Sequence, residues 1–161
     1  TESGQALFDT EWQIFFRGEG GFGGDKGPDV VNSAPPEGQA PDQVIEMATL
    51  PTQALLYRLG GSDTNPIHSD PDVAKKAGFG RPILHGLCTF GFAGRAALQA
   101  VCGGAPEKLA SIEGRFTKPV YPGDTLSTAV WKISPTEALF VTSVKERPEP
   151  VISSGRVKLN A

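Results

Sequence analysis

The stretch "PILHGLCTFGFAGRAALQAV", residues 82–101, decides the fold of this 161-residue chain. Apolar and small side chains fill nearly all of its positions. Gly103 and Gly104, followed by Pro106, are a strong stop signal for a helix. A helix that is apolar around most of its circumference has to be covered by other elements. The stretch therefore predicts one long buried helix.

The segments around this helix supply a sheet. Residues 44–50, "VIEMATL", are typical of a short strand, and four further runs alternate between apolar and polar residues. The four runs are "KLASIEGRFTKPV" (108–120), "DTLSTAVWKI" (124–133), "EALFVTSVKE" (137–146) and "VISSGRVKLN" (151–160). Turn signals separate them, the last being Pro148-Glu149-Pro150. The order predicts an α+β fold, in which an antiparallel curled sheet wraps around one long central helix.

The N-terminal part differs in composition from the rest of the chain. Residues 6–18, "ALFDTEWQIFFRG", alternate as a strand, and residues 18–42 are rich in Gly and Pro without the GxxxxGK[ST] pattern of a phosphate loop. The sequence also lacks an initiator methionine. We therefore expect a piece of a longer protein, in which 1–17 is the last strand of a preceding domain, 18–42 a linker and 43–161 the main domain. The alternative is a short edge strand with a processed N-terminus.

The composition narrows the classes of partner. The net charge is −3 and the basic residues are dispersed, so no nucleic-acid partner is expected. The most apolar region contains His85 and Arg95 and predicts no membrane insertion. Cys88 and Cys102 are too few for a disulfide framework or a zinc site, which favours a reducing, cytoplasmic setting.

The loop "GGSDTNPIHSD", residues 60–70, contains the candidate chemistry. Asp63 and His68 stand five positions apart, and Pro66 stiffens the loop between them and restricts Asn65 to extended conformations. If the loop folds back, the two side chains can hold one water molecule as an acid–base pair. The alternative is a turn residue and a polar residue flanking a helix. The spacings of Asp63, His68 and His85 match no metal-binding motif, so no metal site is expected.

Two longer stretches carry a family resemblance. Residues 57–91, "YRLGGSDTNPIHSDPDVAKKAGFGRPILHGLCTFG", resemble the signature of the type 2 enoyl-CoA hydratases, MaoC-like dehydratases with a hot-dog fold. Residues 114–126, "GRFTKPVYPGDTL", match a strand–turn–strand of the same enzymes. The resemblance covers about residues 43–160. It implies reversible hydration of trans-2-enoyl-CoA to (3R)-3-hydroxyacyl-CoA, in fatty-acid or steroid side-chain β-oxidation.

The resemblance also implies roles for individual residues. Asp63 and His68 would share the attacking water, and Asn65 would help to hold them or the water. The backbone N–H of Gly86, at the start of the buried helix, would stabilise the thioester oxygen. His85 is interpreted as structural, hydrogen-bonded within the helix start.

The resemblance also bears on the contacts with the substrate and on the geometry of the loop. Arg115 and Lys118 are candidates for contact with the phosphates of CoA, although such a pair on a strand is more often a solvated face. The usual family pattern Tyr-x-Leu-Ser-Gly-Asp is lengthened here by one residue, and Ser62 stands where glycine usually precedes the aspartate. We expect the flexible pair Gly60-Gly61 to absorb the extra residue.

The resemblance further implies the setting of the domain. Many members are double hot dogs, so residues 1–17 would end a degenerate first repeat. A homodimer, or a complex with the missing N-terminal repeat, would follow. The substrate is an acyl-CoA thioester with no separate cofactor, and the location is cytoplasmic, or peroxisomal in a eukaryote. Two alternatives stay open, which are a hot-dog acyl-CoA thioesterase and a non-catalytic acyl-CoA-binding domain.

Overall fold

The computed structural model describes residues 3–14, 16, 18–25, 27 and 33–160. Its contacts divide the chain into a unit of residues 1–30 and a unit of residues 31–161. In the first unit the described residues form neither helix nor strand, and their large apolar side chains are exposed. Phe15 and Arg17, which belong to the strand predicted at 6–17, lie outside the described residues. Because that strand is predicted to pair with a preceding repeat, its pairing stays a prediction.

The second unit contains a five-stranded antiparallel sheet. Its strands are β1 (Gln43–Ala48), β2 (Leu109–Phe116), β3 (Thr125–Ser134), β4 (Glu137–Val144) and β5 (Arg147–Leu159). The spatial order is β1-β3-β4-β5-β2, so β3, β4 and β5 form a meander between two edge strands. The five strands follow one another along the chain as predicted, because each strand carries its own alternation of apolar and polar residues.

Three α-helices lie between β1 and β2. They are α1 (Gln53–Gly61), α2 (Pro71–Lys76) and α3 (Gly86–Cys102). The long helix α3 packs its alanine side chains against the sheet, and Gly103 ends it in a left-handed conformation at φ 63°, as predicted. The α+β fold with one long helix against a curled sheet is thereby confirmed. Within the described residues, no helix combines the length and the hydropathy that crossing a membrane would require.

The core is closely packed where α3 meets β4 and β5. Ala93 and Ala97 belong to the same buried cluster as Phe140 and Ile152, and all four are fully buried or nearly so. A Cβ atom on Gly155 would lie 2.4 Å from the carbonyl oxygen of Phe140. Since atoms do not approach this closely, glycine is required at 155, and the packing fixes how β5 runs along β4.

One predicted boundary was wrong, the one before β5. Helix α3 begins at Gly86, as the resemblance implied, because Leu84 donates its backbone N–H to the Val120 carbonyl at 2.7 Å and is held in a segment outside the helix. Strand β5 begins at Arg147, so the residues 148–150 predicted as a separator lie inside it. Proline fits there because β2 pairs with β5 only from Ile152 onward, which leaves residues 148–150 with one neighbouring strand.

The end of the predicted linker is attached to the sheet. Trp131 donates its indole N–H to the Gln39 carbonyl at 3.0 Å, and the backbone N–H of Lys132 donates to Asp42 at 2.7 Å. Arg156 donates to the hydroxyl of the buried Ser33 at 2.8 Å. Residues 33–42 therefore belong to the second unit, although its first strand starts only at Gln43.

Candidate active site

The residue before the candidate aspartate has an unusual backbone conformation. Helix α1 continues through Gly60 and Gly61, and Ser62 takes the left-handed conformation that ends it, with φ at 54°. The expectation that the two glycines absorb the extra residue through unusual φ values was therefore wrong. A Cβ on Gly61 would lie 3.0 Å from the ring of Tyr57, so the smallness of this glycine makes room for that ring.

The loop after Ser62 is held by two short-range hydrogen bonds. The Oδ1 atom of Asp63 accepts the backbone N–H of Asn65, and the Oδ1 atom of Asn65 accepts the backbone N–H of Ile67, both at 3.1 Å. Asn65 thus caps the 3₁₀ turn Pro66–His68. The side chain of Asn65 therefore sets the direction of the turn that carries His68. No described residue donates to the second carboxylate oxygen of Asp63, Oδ2.

A backbone carbonyl fixes the tautomer of His68. Its Nδ1 atom lies 2.8 Å from the carbonyl oxygen of Ile83. A carbonyl oxygen only accepts, so Nδ1 carries the hydrogen, and in the neutral ring Nε2 has the free lone pair. The backbone N–H of Ile83 also donates to the Ile67 carbonyl at 3.4 Å. Ile83 therefore joins the loop to the segment that leads into α3.

The buried His85 lies against His68 and the backbone of Asp63, a position that the sequence did not predict. Its ring is 1% exposed, stacks on His68 with ring centroids 3.7 Å apart, and contacts Tyr57 on a tilted plane at 4.7 Å. Its Nε2 donates to the backbone carbonyl of Asp63 at 3.3 Å, and Nδ1 has no partner among the described residues. The interpretation that His85 bonds within its own helix start was wrong. The only sequence signal was its position directly before Gly86.

Burial keeps His85 neutral. Burial first, and then the neighbouring His68, lower the pKa of His85 below its ordinary value of 6.5. Burial also raises the pKa of Tyr57, with Cys88 and Asp63 adding to the shift. Both groups that surround Asp63 and His68 therefore stay uncharged at neutral pH.

The structure brings Asp63, His68 and His85 together. One carboxylate oxygen and one nitrogen from each ring all lie within 4.8 Å of one another. The exposure increases from buried His85 through half-buried His68 to exposed Asp63. Three such side chains could also be the ligands of a metal ion. Metal ions bind in the plane of an imidazole at about 2.1 Å, and two stacked rings tilted by 25° do not point at one such position. The arrangement fits a water molecule better than a metal ion.

The start of α3 faces the same region of the fold. The first backbone hydrogen bond of the helix runs from Thr89 N–H to the His85 carbonyl, so the N–H of Gly86 has no acceptor within the helix. Gly86 is exposed, and a Cβ there would lie 3.5 Å from the ring of Phe116, an ordinary contact. Glycine at 86 therefore leaves open a space that a side chain would fill.

The two predicted basic contacts lie on the sheet. Arg115 is exposed near the end of β2, and Lys118 is exposed just after it, beside Pro119 and Arg147. In the described part of the chain, neither side chain forms a hydrogen bond or an ion pair with Asp63, His68 or His85. Their predicted contact with CoA stays a prediction.

Comparison with known proteins places this site in a family. The model of the MaoC-like domain matches residues 32–154. A probable enoyl-CoA hydratase 2 of Dictyostelium discoideum is 48% identical over 153 residues, which are 95% of this chain and 52% of that protein. The peroxisomal enoyl-CoA hydratase 2 of Arabidopsis thaliana is 45% identical over 160 residues, covering 94% of this chain and 51% of that protein.

A solved structure is also similar to this chain. The crystal structure of a MaoC-like dehydratase from Phytophthora capsici superposes with a TM-score of 0.82 at 39% identity, and the match covers 89% of this chain and 48% of that one. The chain spans about half the length of the curated relatives it matches. The family match covers most of the chain and includes Asp63, His68 and Gly86. The chain belongs to the MaoC-like domain family.

Proposed function

We propose that this chain carries the catalytic site of an (R)-specific 2-enoyl-CoA hydratase, a lyase that adds water to trans-2-enoyl-CoA to form (3R)-3-hydroxyacyl-CoA. The observation that carries the proposal is the trio of Asp63, His68 and His85, whose polar atoms lie within 4.8 Å of one another. The names of relatives that match nearly the whole chain support the same activity.

The hydration needs a base for water, and the loop offers two acceptors. The free Nε2 of His68 and the carboxylate of Asp63 would hold one water molecule between them. As the water oxygen attacks C3 of the enoyl group, one of the two takes a proton from the water, and the pair then delivers that proton to C2. One proton leaves water and one is added to carbon, so the pair ends the cycle in its starting state. Each positioned group contributes about 10²–10⁴ in rate.

Negative charge develops on the thioester oxygen during the attack. The N–H of Gly86, which has no acceptor within α3, is a suitable donor, since helix starts combine free N–H groups with a positive potential. Loss of one such donor costs about 2.7–4 kcal/mol in the transition state of other enzymes. The absence of a side chain at 86 would let the thioester reach the backbone.

The test is the hydration of a medium-chain trans-2-enoyl-CoA by the full-length protein, followed by the loss of the absorbance of the conjugated thioester. We expect a (3R) product, and losses of at least about 10² in kcat for Asp63→Asn and for His68→Gln. Both replacements keep the size of the side chain, so unchanged melting curves would separate lost chemistry from lost folding. Full activity in both variants would contradict the proposal.

The same assay distinguishes the two alternatives. A thioesterase would release free CoA, which a thiol reagent detects, whereas hydration releases none. A non-catalytic binding domain would bind the ligand without turnover. The extra residue before Asp63 was the support for that reading, and the short distance from Asp63 to His68 weakens it.

The setting of the whole protein follows from its relatives and belongs to the same proposal. We expect no cofactor beyond the CoA of the substrate, a location in the cytoplasm or, in a eukaryote, the peroxisome, and a role in β-oxidation. We also expect a homodimer or a complex with a second hot-dog repeat. Exposed leucines on α1 support such an assembly, because Leu55 and Leu56 are each 50% exposed and Leu59 is 82% exposed. Sedimentation that shows a lone single-repeat monomer would contradict it.

A further inference from the structure

His85 connects the two parts of the candidate active site. Its backbone lies directly before Gly86, and its carbonyl accepts the backbone N–H of Thr89 at 3.1 Å, so this residue fixes the first turn of α3. Its ring reaches the loop, where Nε2 donates to the backbone carbonyl of Asp63 at 3.3 Å. One residue therefore joins the loop that carries the carboxylate to the helix start that carries the N–H of Gly86.

The place of His85 in the fold is unfavourable for an imidazole. The residue is 1% exposed, and its Nδ1 has no hydrogen-bond partner in the part of the chain that the structure describes. A buried polar atom without a partner costs stability, and an apolar side chain of similar size has no such atom. Packing alone would therefore favour an apolar residue at 85. What the imidazole adds is the hydrogen on Nε2.

The hydrogen bond from His85 acts at one end of the loop. Within the loop, Asp63 accepts the backbone N–H of Asn65, which orients the carboxylate relative to the loop but not relative to α3. Ile83, in the segment before α3, holds the other end, because its carbonyl accepts from His68 at 2.8 Å. The Asp63 end is held from the same segment by His85. A loss of this bond should therefore let the carboxylate shift relative to the start of α3.

The ring of His85 makes a second contribution that does not need a nitrogen. It stacks on the ring of His68, with the centroids 3.7 Å apart and the planes 25° from parallel. Any flat ring of similar size would offer His68 the same surface, whereas the hydrogen bond to Asp63 requires an N–H. The two contributions can therefore be separated by substitutions that keep one and remove the other.

We propose that His85 is a positioning residue, whose Nε2–H fixes the distance between the Asp63–His68 pair and the N–H of Gly86. The inference rests on the proposed function for the reaction. Water attacks C3 while the thioester oxygen is bound at Gly86, so both groups have to meet one conjugated, planar substrate at the same time. His85 transfers no proton in this scheme and acts through the backbone of Asp63.

The first arm measures kcat and KM for a medium-chain trans-2-enoyl-CoA with the full-length protein and three variants. His85→Gln keeps an N–H that can reach the Asp63 carbonyl, the side chain of His85→Asn is too short for it, and His85→Phe keeps the ring without a donor. We expect His85→Gln to lose about tenfold or less in kcat, and His85→Asn and His85→Phe to lose about 10², with little change in KM.

Thr142→Val is the matched control for lost stability. Thr142 is fully buried in β4, and its hydroxyl lies 2.9 Å from that of Thr128. Valine at 142 leaves the Thr128 hydroxyl buried without this partner, so the melting temperature should fall. Measured below the melting transition, kcat should stay that of the wild type, because neither threonine belongs to the candidate active site.

The second arm needs no catalysis. Ring ¹⁵N NMR of the full-length protein shows which nitrogen of each histidine carries the hydrogen, and His85 is recognised by its through-space contact with the ring of Tyr57, whose centroid lies 4.7 Å away. At neutral pH we expect the hydrogen of His85 on Nε2 and that of His68 on Nδ1. The ring signals of His68 should move in His85→Asn and stay in place in Thr142→Val.

Three results would overturn the inference. They are a wild-type His85 with its hydrogen on Nδ1, a His85→Gln variant that is no more active than His85→Asn, and a His85→Phe variant as active as His85→Gln, which would assign the effect to the stacked ring. A wild type that performs no hydration would refute the proposed function instead. In that case an Nε2–H on His85 and displaced His68 signals in His85→Asn would still support the positioning of the loop by His85.

Discussion

The packed core and the candidate active site are held together in different ways. Around Gly155 and Phe140, contacts come from side chains and backbone that interlock, with no space for one more carbon atom. Around Asp63 and His68, the loop is exposed or half-buried, and hydrogen bonds to backbone groups hold it. Changes in the core should therefore cost stability, whereas changes in the loop should cost activity at little expense to the fold.

The most disruptive change in this comparison is Gly155→Ala. Its Cβ would lie 2.4 Å from the Phe140 carbonyl oxygen and 2.6 Å from the Phe140 ring, and backbone cannot yield as a side chain can. We expect a loss of more than about 4 kcal/mol in unfolding free energy. Melting followed by circular dichroism measures it. Gly91→Ala is the control, because Gly91 is exposed on α3 with open space around it, and alanine there should stabilise by up to about 1 kcal/mol. Equal melting temperatures would contradict the contrast.

Asn65→Ala should cost little stability and much activity, the reverse of Gly155→Ala. It removes the cap of the turn that carries His68, which costs about 1 kcal/mol in stability. A misplaced His68 should lower kcat by about 10². Asp70→Ala is the matched control, because Asp70 caps α2 in the same way by accepting the N–H groups of Asp72 and Val73. It should lose similar stability and keep its activity. Asn65→Asp, which keeps the accepting oxygen, should recover much of the loss, and equal kcat losses in both alanine variants would refute a specific role for Asn65.

The dependence of stability on pH tests whether the buried His85 binds a proton less readily in the folded chain than in the unfolded chain. Because the pKa of folded His85 lies below its ordinary value of 6.5, the unfolded chain binds a proton near that pH more readily than the folded chain. Stability should therefore fall as the pH drops from 7.5 to 5.5. His85→Gln removes the titrating group and should flatten this part of the profile. Melting temperatures at the two pH values measure the slope, and identical slopes in both proteins would rule out this origin.

The smallest effect is expected for Ser62→Gly. Ser62 has a φ of 54°, a conformation that costs a residue with a side chain about 1–2 kcal/mol more than glycine. Glycine also makes the unfolded chain more flexible, so the net gain should stay below about 1 kcal/mol. Thermal melting measures the gain, and kcat should be unchanged. A loss of stability would show that the serine side chain contributes a contact that outweighs the strain.

The sequence was sufficient for features that depend on neighbouring residues. The alternation of each strand, the apolar length of α3 and the five-residue spacing of Asp63 and His68 are local, so the order of elements and the core of the site could be predicted. The position of β2 beside β5 could not, because this pairing joins residues far apart in the chain. The same applies to the hydrogen bond from His85 to the Asp63 carbonyl.

Ile83 uses both of its backbone groups to bind the loop, since its carbonyl accepts from His68 and its N–H donates to Ile67. The intervening residues 70–80, which include α2, form a connection that leaves the loop after His68 and returns to it at Ile83. For protein engineering, the exposed residues 77 and 78 after α2 are therefore a place where an inserted reporter peptide should be tolerated, whereas the buried Ala74 argues against a shorter connection. The loop and the start of α3, in contrast, should be transplanted to another scaffold only as a single unit.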